Sequence, residues 1–151
     1  MGPVNSLADD YVSNVKITVS VYGEPDCTVN GGKTIDVDFG DVYDILIDGT
    51  GYKRLPIEYD LQCKELAKNS LNMILKWNET IIDGKSVIST NYKNFGIAVY
   101  HDSTQLNNNS SINFAYNNSP KLYVVPVKSS KSEFNENGKF TGNMTMIINY
   151  Q

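Results

Sequence analysis

A chain of 151 residues is of single-domain size, long enough to bury roughly two-thirds of the surface its unfolded form would expose. Its 13 basic and 17 acidic residues leave a formal net charge of −4 without any run of like charge, so it lacks the electrostatic footprint of a nucleic-acid or anionic-membrane binder. No apolar run approaches the roughly 20 residues of a membrane helix, and two cysteines with the single His101 are too few for a metal cage.

Residues 1–10, beginning MGPVNSLA, read as an added or disordered leader. The stretch without the charged and apolar halves of a signal peptide is set aside from the fold. From Asn14 to Val21 the chain alternates: Val15, Ile17, Val19 and Val21 project to one face, Lys16, Thr18 and Ser20 to the other. This is a half-buried strand lying ahead of the first cysteine, and the breaker cluster Gly23-Glu24-Pro25-Asp26 ends it. It needs a sheet, either in its own domain or in a neighbour.

Past Cys27, the turn Asn30-Gly31-Gly32 leads to a second alternating strand, Thr34 to Phe39, with Ile35, Val37 and Phe39 inward. The series Asp36, Asp38, Asp41 and Asp44 invites a calcium reading, but β-branched and aromatic residues stand where a calcium loop needs turn residues, and no metal site is expected. Asp48-Gly49-Thr50-Gly51 is a turn. Leu55 to Cys63 resumes the alternation with Ile57, Tyr59, Leu61 and Cys63 on one face, which points Cys63 into the core. Cys27 and Cys63 either pair or are two unrelated buried thiols. Pairing would stabilise the fold by roughly 4 kcal/mol on a chain-entropy estimate and imply an oxidising compartment.

Leu66 to Trp77 fits a helical face through Leu66, Ser70, Met73 and Trp77, and a strand through Leu71, Met73, Leu75 and Trp77. With strands on every side, Leu71 to Trp77 is taken as a strand. A turn at Asp83-Gly84-Lys85 follows, then a short apolar strand, Phe95 to Tyr100. His101 to Pro120 reads as a long Asn- and Ser-rich connection with a short strand around Ile112 to Tyr116. Leu122 to Val127 is strongly β-forming, and Pro126 places it at an edge or a bend. After a polar loop, Ser129 to Asn137, the chain closes on a strand with Met144, Met146, Ile148 and Tyr150 facing one way. No helix-sheet alternation or repeat occurs, which leaves an all-β sandwich.

Two functions outside a structural role can be weighed. His101-Asp102-Ser103 holds the residue types of a hydrolase triad, but neighbours in a strand or turn project in divergent directions and form no relay. An extracellular carbohydrate-binding module is the alternative of more substance, since ten tyrosines, Trp77 and the Asn-rich connection offer aromatic faces and amides. Trp77 nevertheless falls on the apolar face of its strand, where core packing is the commoner fate.

The ordered set of motifs resembles the pilin subunits of chaperone–usher fimbriae of Gram-negative bacteria, the minor or adaptor type more than the two-domain tip adhesin. The likeness rests on the alternating extension before a cysteine (VKITVSVYGEPDC), the VDFGDV segment, and a second cysteine closing the next long stretch. It also rests on FGIAVY and KLYVVPV, on Gly138 fourteen residues from the end, and on the penultimate Tyr150. One departure is that the small residue usual within such an extension is absent, Gly23 coming only after Val21.

The resemblance implies an incomplete immunoglobulin-like β-sandwich completed by a donated strand, with residues 11–24 as donor extension and 25–151 as pilin domain. Val15, Ile17, Val19 and Val21 would enter a neighbour's groove. Gly138, Met144, Met146, Ile148 and Tyr150 would line the groove strand that a chaperone reads, and Cys27 would pair with Cys63. The partners implied are neighbouring pilin subunits joined head to tail, a periplasmic chaperone and an outer-membrane usher. The destination is a fimbrium on the cell surface, reached via the periplasm. No enzymatic activity, cofactor, metal, nucleic acid or small-molecule substrate is expected.

Overall fold

Alternation along the chain becomes strand after strand in the computed structural model, which describes residues 11–24, 26–66, 68–92, 94–130 and 140–151, with side chains of the first strand described from Val15 onward. In chain order the strands are β1 (Tyr11–Tyr22), β2 (Cys27–Val29), β3 (Ile35–Tyr43), β4 (Leu55–Pro56), β5 (Leu61–Cys63), β6 (Ser70–Trp77) and β7 (Glu79–Ile82). They continue with β8 (Lys85–Ser89), β9 (Phe95–His101), β10 (Thr104–Gln105), β11 (Ser110–Ala115), β12 (Leu122–Lys128) and β13 (Phe140–Tyr150). Among the described residues there is no α-helix, only two 3₁₀ turns.

One sheet has the order β11-β6-β13-β1-β3, the other β4-β12-β9-β8-β7 with β10 on β9, and β2 and β5 form a separate ribbon. The fold is an immunoglobulin-like sandwich. Its main core cluster is fed by the inward residues of both sheets, among them Ile17, Val37, Leu71, Met73, Leu75, Ile88, Ile97, Val124, Met146 and Ile148, and a smaller cluster of Ile82, Val87, Ala98, Tyr100 and Val125 lies apart from it. Phe140 meets Tyr92 and Phe95 edge to face, each at 6.0 Å between centroids. The Lys128 ammonium pairs with the buried Asp44 carboxylate, tying the turn after β3 to β12 of the opposite sheet.

The strand predicted over Leu71 to Trp77 is present, as are those over Phe95 to Tyr100, Ile112 to Tyr116 in slightly shifted form, and Leu122 to Val127. Pro126 pairs with Ile97 on one side, while β4 covers only Tyr123 and Val124 on the other, so the proline sits where β12 is an edge. Leu55 to Cys63 departs from expectation. It is two fragments serving different sheets, β4 on β12 and β5 on β2, although Ile57, Tyr59, Leu61 and Cys63 still pack against the core.

That break also sets where the disulfide lies. Cys27 and Cys63 are bonded, as the resemblance implied, and stand directly opposed in the β2-β5 ribbon, where Cys63, expected to point into the core, is only partly buried. The polar loop read over Ser129 to Asn137 lies, apart from its first two residues, outside the described residues.

Asp48 organises the long connection between β3 and β4. Its Oδ1 accepts the amides of Thr50, Gly51 and Tyr52 at 3.0, 2.9 and 3.0 Å. These bonds, that of Tyr52 foremost, lower its pKa from 3.8 to about 2. Because the folded value is depressed, the stabilisation is fully present above the ordinary carboxylate value and fades as the pH falls toward about 2. An NMR titration of the Asp48 carboxyl is expected to give a midpoint near 2. An ordinary midpoint would contradict the turn geometry.

The Cys27–Cys63 link spans 36 residues. Replacing both cysteines with alanine is expected to cost about 4 kcal/mol, read as a lower urea midpoint with a steeper slope, because the chain without the cross-link unfolds to a more open ensemble. An unchanged midpoint would contradict the cross-link's role.

Candidate functional site

The feature with functional consequence is the slot between β13 and β3, which β1 fills. β1 runs parallel to β13, from Val15 opposite Phe140 to Tyr22 opposite Ile147, and antiparallel to β3, with Ile17 opposite Val37 and Val19 opposite Ile35. Val15, Ile17 and Val19 are wholly inaccessible to solvent. Val21 is partly buried against the same cluster. On the outer face Lys16 is exposed, and the Thr18 hydroxyl donates to Asp36 Oδ1 at 3.1 Å.

The walls of the slot follow from the same alternation. β13 turns Phe140, Gly142, Met144, Met146 and Ile148 inward and Thr141 and Asn143 outward. β3 contributes Ile35, Val37 and Phe39. Near the far end β3 turns at Gly40, whose φ of +65° favours glycine, and the pairing with β1 shifts register there. Asp38 Oδ1 accepts the Gly40 amide at 2.8 Å. The aspartate series of β3 thus serves a hydroxyl contact, a turn and, in Asp44, an ion pair. Among the described residues no three acidic, histidine or cysteine side chains gather to hold a metal.

Gly142 was not singled out from the sequence, yet it shapes the slot. It lies opposite Ile17, and a Cβ there would stand 2.8 Å from Ile88 Cγ2 and 3.0 Å from the Ser89 carbonyl across the sandwich. The missing side chain lets the two sheets approach where Ile17 is seated. The available signal was a glycine inside an otherwise apolar-alternating strand, a mark of close backbone approach.

Of the other predicted groove residues, Met144, Met146 and Ile148 are fully buried and Tyr150 is partly buried. Gly138 lies outside the described residues. Tyr150 makes a clasp the sequence did not reveal: its amide donates to Glu24 Oε1 at 3.1 Å and its hydroxyl to Asp26 Oδ2 at 2.9 Å. The end of the last strand therefore holds the turn through which β1 leaves the slot. That turn is also closed by the Cys27 amide donating to the Glu24 carbonyl at 2.8 Å.

The other chemistries lose their residues to structure. His101 Nε2 and Asp102 Oδ2 are 3.7 Å apart at the exposed β9-β10 turn, beyond hydrogen-bonding distance. Trp77 is buried, its Nε1 donating to Ser86 Oγ at 3.3 Å. The hydroxyls of Tyr59 and Tyr100 donate to the carbonyls of Pro120 and Gly49, and burial raises the Tyr59 pKa. Those of Tyr52 and Tyr116 accept the amides of Tyr43 and Cys63. The guanidinium of Arg54 lies 4.9 Å from the ring of Tyr100 and 4.3 Å from that of Tyr123.

Residues 14–151 match the family model described as fimbrial protein. The chain belongs to this family. It is 32% identical over 152 residues to the uncharacterized fimbrial-like protein YfcR of Escherichia coli (strain K12), covering 98% of this chain and 86% of that protein. It is 33% identical over 137 residues to the uncharacterized fimbrial-like protein YfcQ of the same strain, covering 87% of this chain and 83% of that one. The chain is thus a pilin of the chaperone–usher type, a structural subunit that associates with other pilin subunits in a surface appendage. No helix among the described residues is long and apolar enough to cross a membrane.

In this fimbrial subunit the fit at Gly142 is testable. Gly142→Val is expected to cost about 1–3 kcal/mol through overpacking against Ile88, while Thr141→Val on the exposed face is expected to be nearly silent. Urea denaturation reads both. Equal midpoints for the two variants would contradict the close approach.

Proposed function

We propose that this pilin polymerises by withdrawing β1 from its own slot and inserting it into that of a neighbouring subunit, with Val15, Ile17, Val19 and Val21 as the donated side chains. The single observation that carries the reading is that three wholly buried residues belong to a strand that, among the described residues, lies ahead of every other strand and ahead of the Cys27–Cys63 link. Burying Val15, Ile17 and Val19 is worth about 1.5–3 kcal/mol each, a sum comparable with the whole stability of an ordinary domain. A subunit whose arm has left therefore needs another strand in the slot. A periplasmic chaperone supplying that strand would hold Met144, Met146, Ile148 and Tyr150 through backbone pairing, and an outer-membrane usher would then receive the held subunit.

Direction matters to assembly. In its own slot β1 exits beside Tyr150, so an arm entering a neighbour in that direction would bring the two Tyr150 ends together. A head-to-tail fibre requires the arm to enter with its Tyr22 end beside Phe140, antiparallel to β13. The side chains permit this, because Val15, Ile17, Val19 and Val21 are all β-branched at a spacing of two and present nearly the same profile when reversed about Thr18. Reversal exchanges ladder types rather than losing one: β1 would become antiparallel to β13 and parallel to β3.

A chain lacking residues 1–22, refolded with a synthetic peptide of residues 14–22 (NVKITVSVY), is expected to give a folded one-to-one complex. The peptide carrying Val19→Arg is expected to fail because a charge enters the apolar slot, and Lys16→Ala to work as well as the natural sequence. In the full subunit, Val19→Arg is expected to stop fibre growth from chaperone-bound material. Elongation at the unaltered rate would overturn strand donation.

A further inference from the structure

The parallel register carries a second consequence, concerning how two copies of this chain can meet. We infer that two copies of this chain close into a two-fold dimer by exchanging β1 reciprocally, each arm lying in the other's slot in the parallel register it takes in its own. The arm pairs with β13 from Val15 opposite Phe140 to Tyr22 opposite Ile147, so the exit of the slot lies at the Tyr150 end. The domain's own hinge lies at that end too, since Tyr150 bonds Glu24 and Asp26. An arm seated in a partner in this register emerges beside the partner's hinge, where the partner's own arm sets out. One two-fold axis between the hinges satisfies both exchanges. The contact is isologous, every slot is filled, and nothing is left to propagate.

The buried contacts are the same in monomer and dimer, so the balance rests on the hinge and on concentration. In the closed turn Gly23 packs against the Cys27 carbonyl, where a Cβ would come within 3.0 Å of the oxygen. Residues 23–26, extended, reach about 13 Å at the usual rise per residue, a span suited to crossing between two bodies in contact. The linked arm competes at an effective concentration of the order of millimolar, so exchange calls for comparable subunit concentrations. Release of Val15, Ile17 and Val19 from the core makes it slow once either form has closed.

The test uses the full chain in versions that each carry one cysteine added to the native disulfide. Lys16 is exposed and stands opposite Thr141 in the parallel register, whereas in an arm reversed about Thr18 it would stand opposite Thr145. Chains with Lys16→Cys are mixed with chains carrying Thr141→Cys or, separately, Thr145→Cys. Each mixture is unfolded in mildly acidic urea with the native disulfide intact, refolded at ~1 mM and oxidised. The expected result is a Lys16→Cys link to Thr141→Cys, in a species of twice the chain mass by light scattering, and none to Thr145→Cys. Only monomers, a link to Thr145→Cys instead, or linked species larger than a dimer would overturn the proposal.

Should the cysteine variants fail to refold, Gly23→Val in the natural sequence crowds only the closed turn and is expected to raise the dimer fraction about tenfold. No rise would equally overturn it. Polymers linked through Thr145→Cys would remove the dimer and leave fibre assembly by strand donation standing.

Discussion

A strand inside a sheet must be hydrogen-bonded along both edges, and β1 meets this need for two neighbours at once, pairing β13 on one side and β3 on the other. Without it the sheet would hold two unpaired inner edges above an apolar trough lined by Met144, Met146, Val37 and Ile35. Such an opening is an aggregation hazard in a free subunit. The requirement concerns a strand in that place and not which chain supplies it, so the constraint that folds the isolated chain is the same one on which the proposed assembly by exchange would rest.

The disulfide sets how far an exchange can go. Cys27 opens β2 immediately after the turn and is bonded to Cys63 in a ribbon outside both sheets, with the Lys64 amide donating to the Asp26 carbonyl at 2.8 Å. Everything before the ribbon can leave without removing a strand from between the cysteines. The segment between the cysteines is held as a closed loop. A bridge between the two sheets would have stabilised the sandwich but would not have marked this boundary, and the position of the ribbon ties the cross-link to the hinge.

Alternation made β1, β3, β6 and β13 legible in the sequence because each has one face in the core and one in water. β8 escaped notice for the opposite reason: Ser86, Val87 and Ile88 are all buried, so no period marks it, although the Asp83-Gly84 turn that joins it to β7 was evident. Leu55 to Cys63 kept its inward phase but not its continuity, since periodicity records which side chains are buried and not which backbone edge they pair with. The clasp of Tyr150 on Glu24 and Asp26 joins residues separated by most of the chain, and in the sequence those acids were only part of a breaker cluster.

The pattern that made β1 easiest to find is also silent on its direction. Four β-branched residues at a spacing of two fit a slot of alternating pockets either way, so side-chain complementarity alone does not choose between parallel and antiparallel entry. What separates the outcomes is where the hinge emerges: beside Tyr150 the exchange closes on itself, and beside Phe140 it leaves a fresh hinge at the opposite pole and continues. A partner that holds the slot until a neighbour's arm enters from the Phe140 end would therefore decide between a closed dimer and an open fibre without altering a single buried contact of the arm. The acids of the hinge, Glu24 and Asp26, lie where that choice is made, bonded to Tyr150 and outside the apolar pattern that seats the strand.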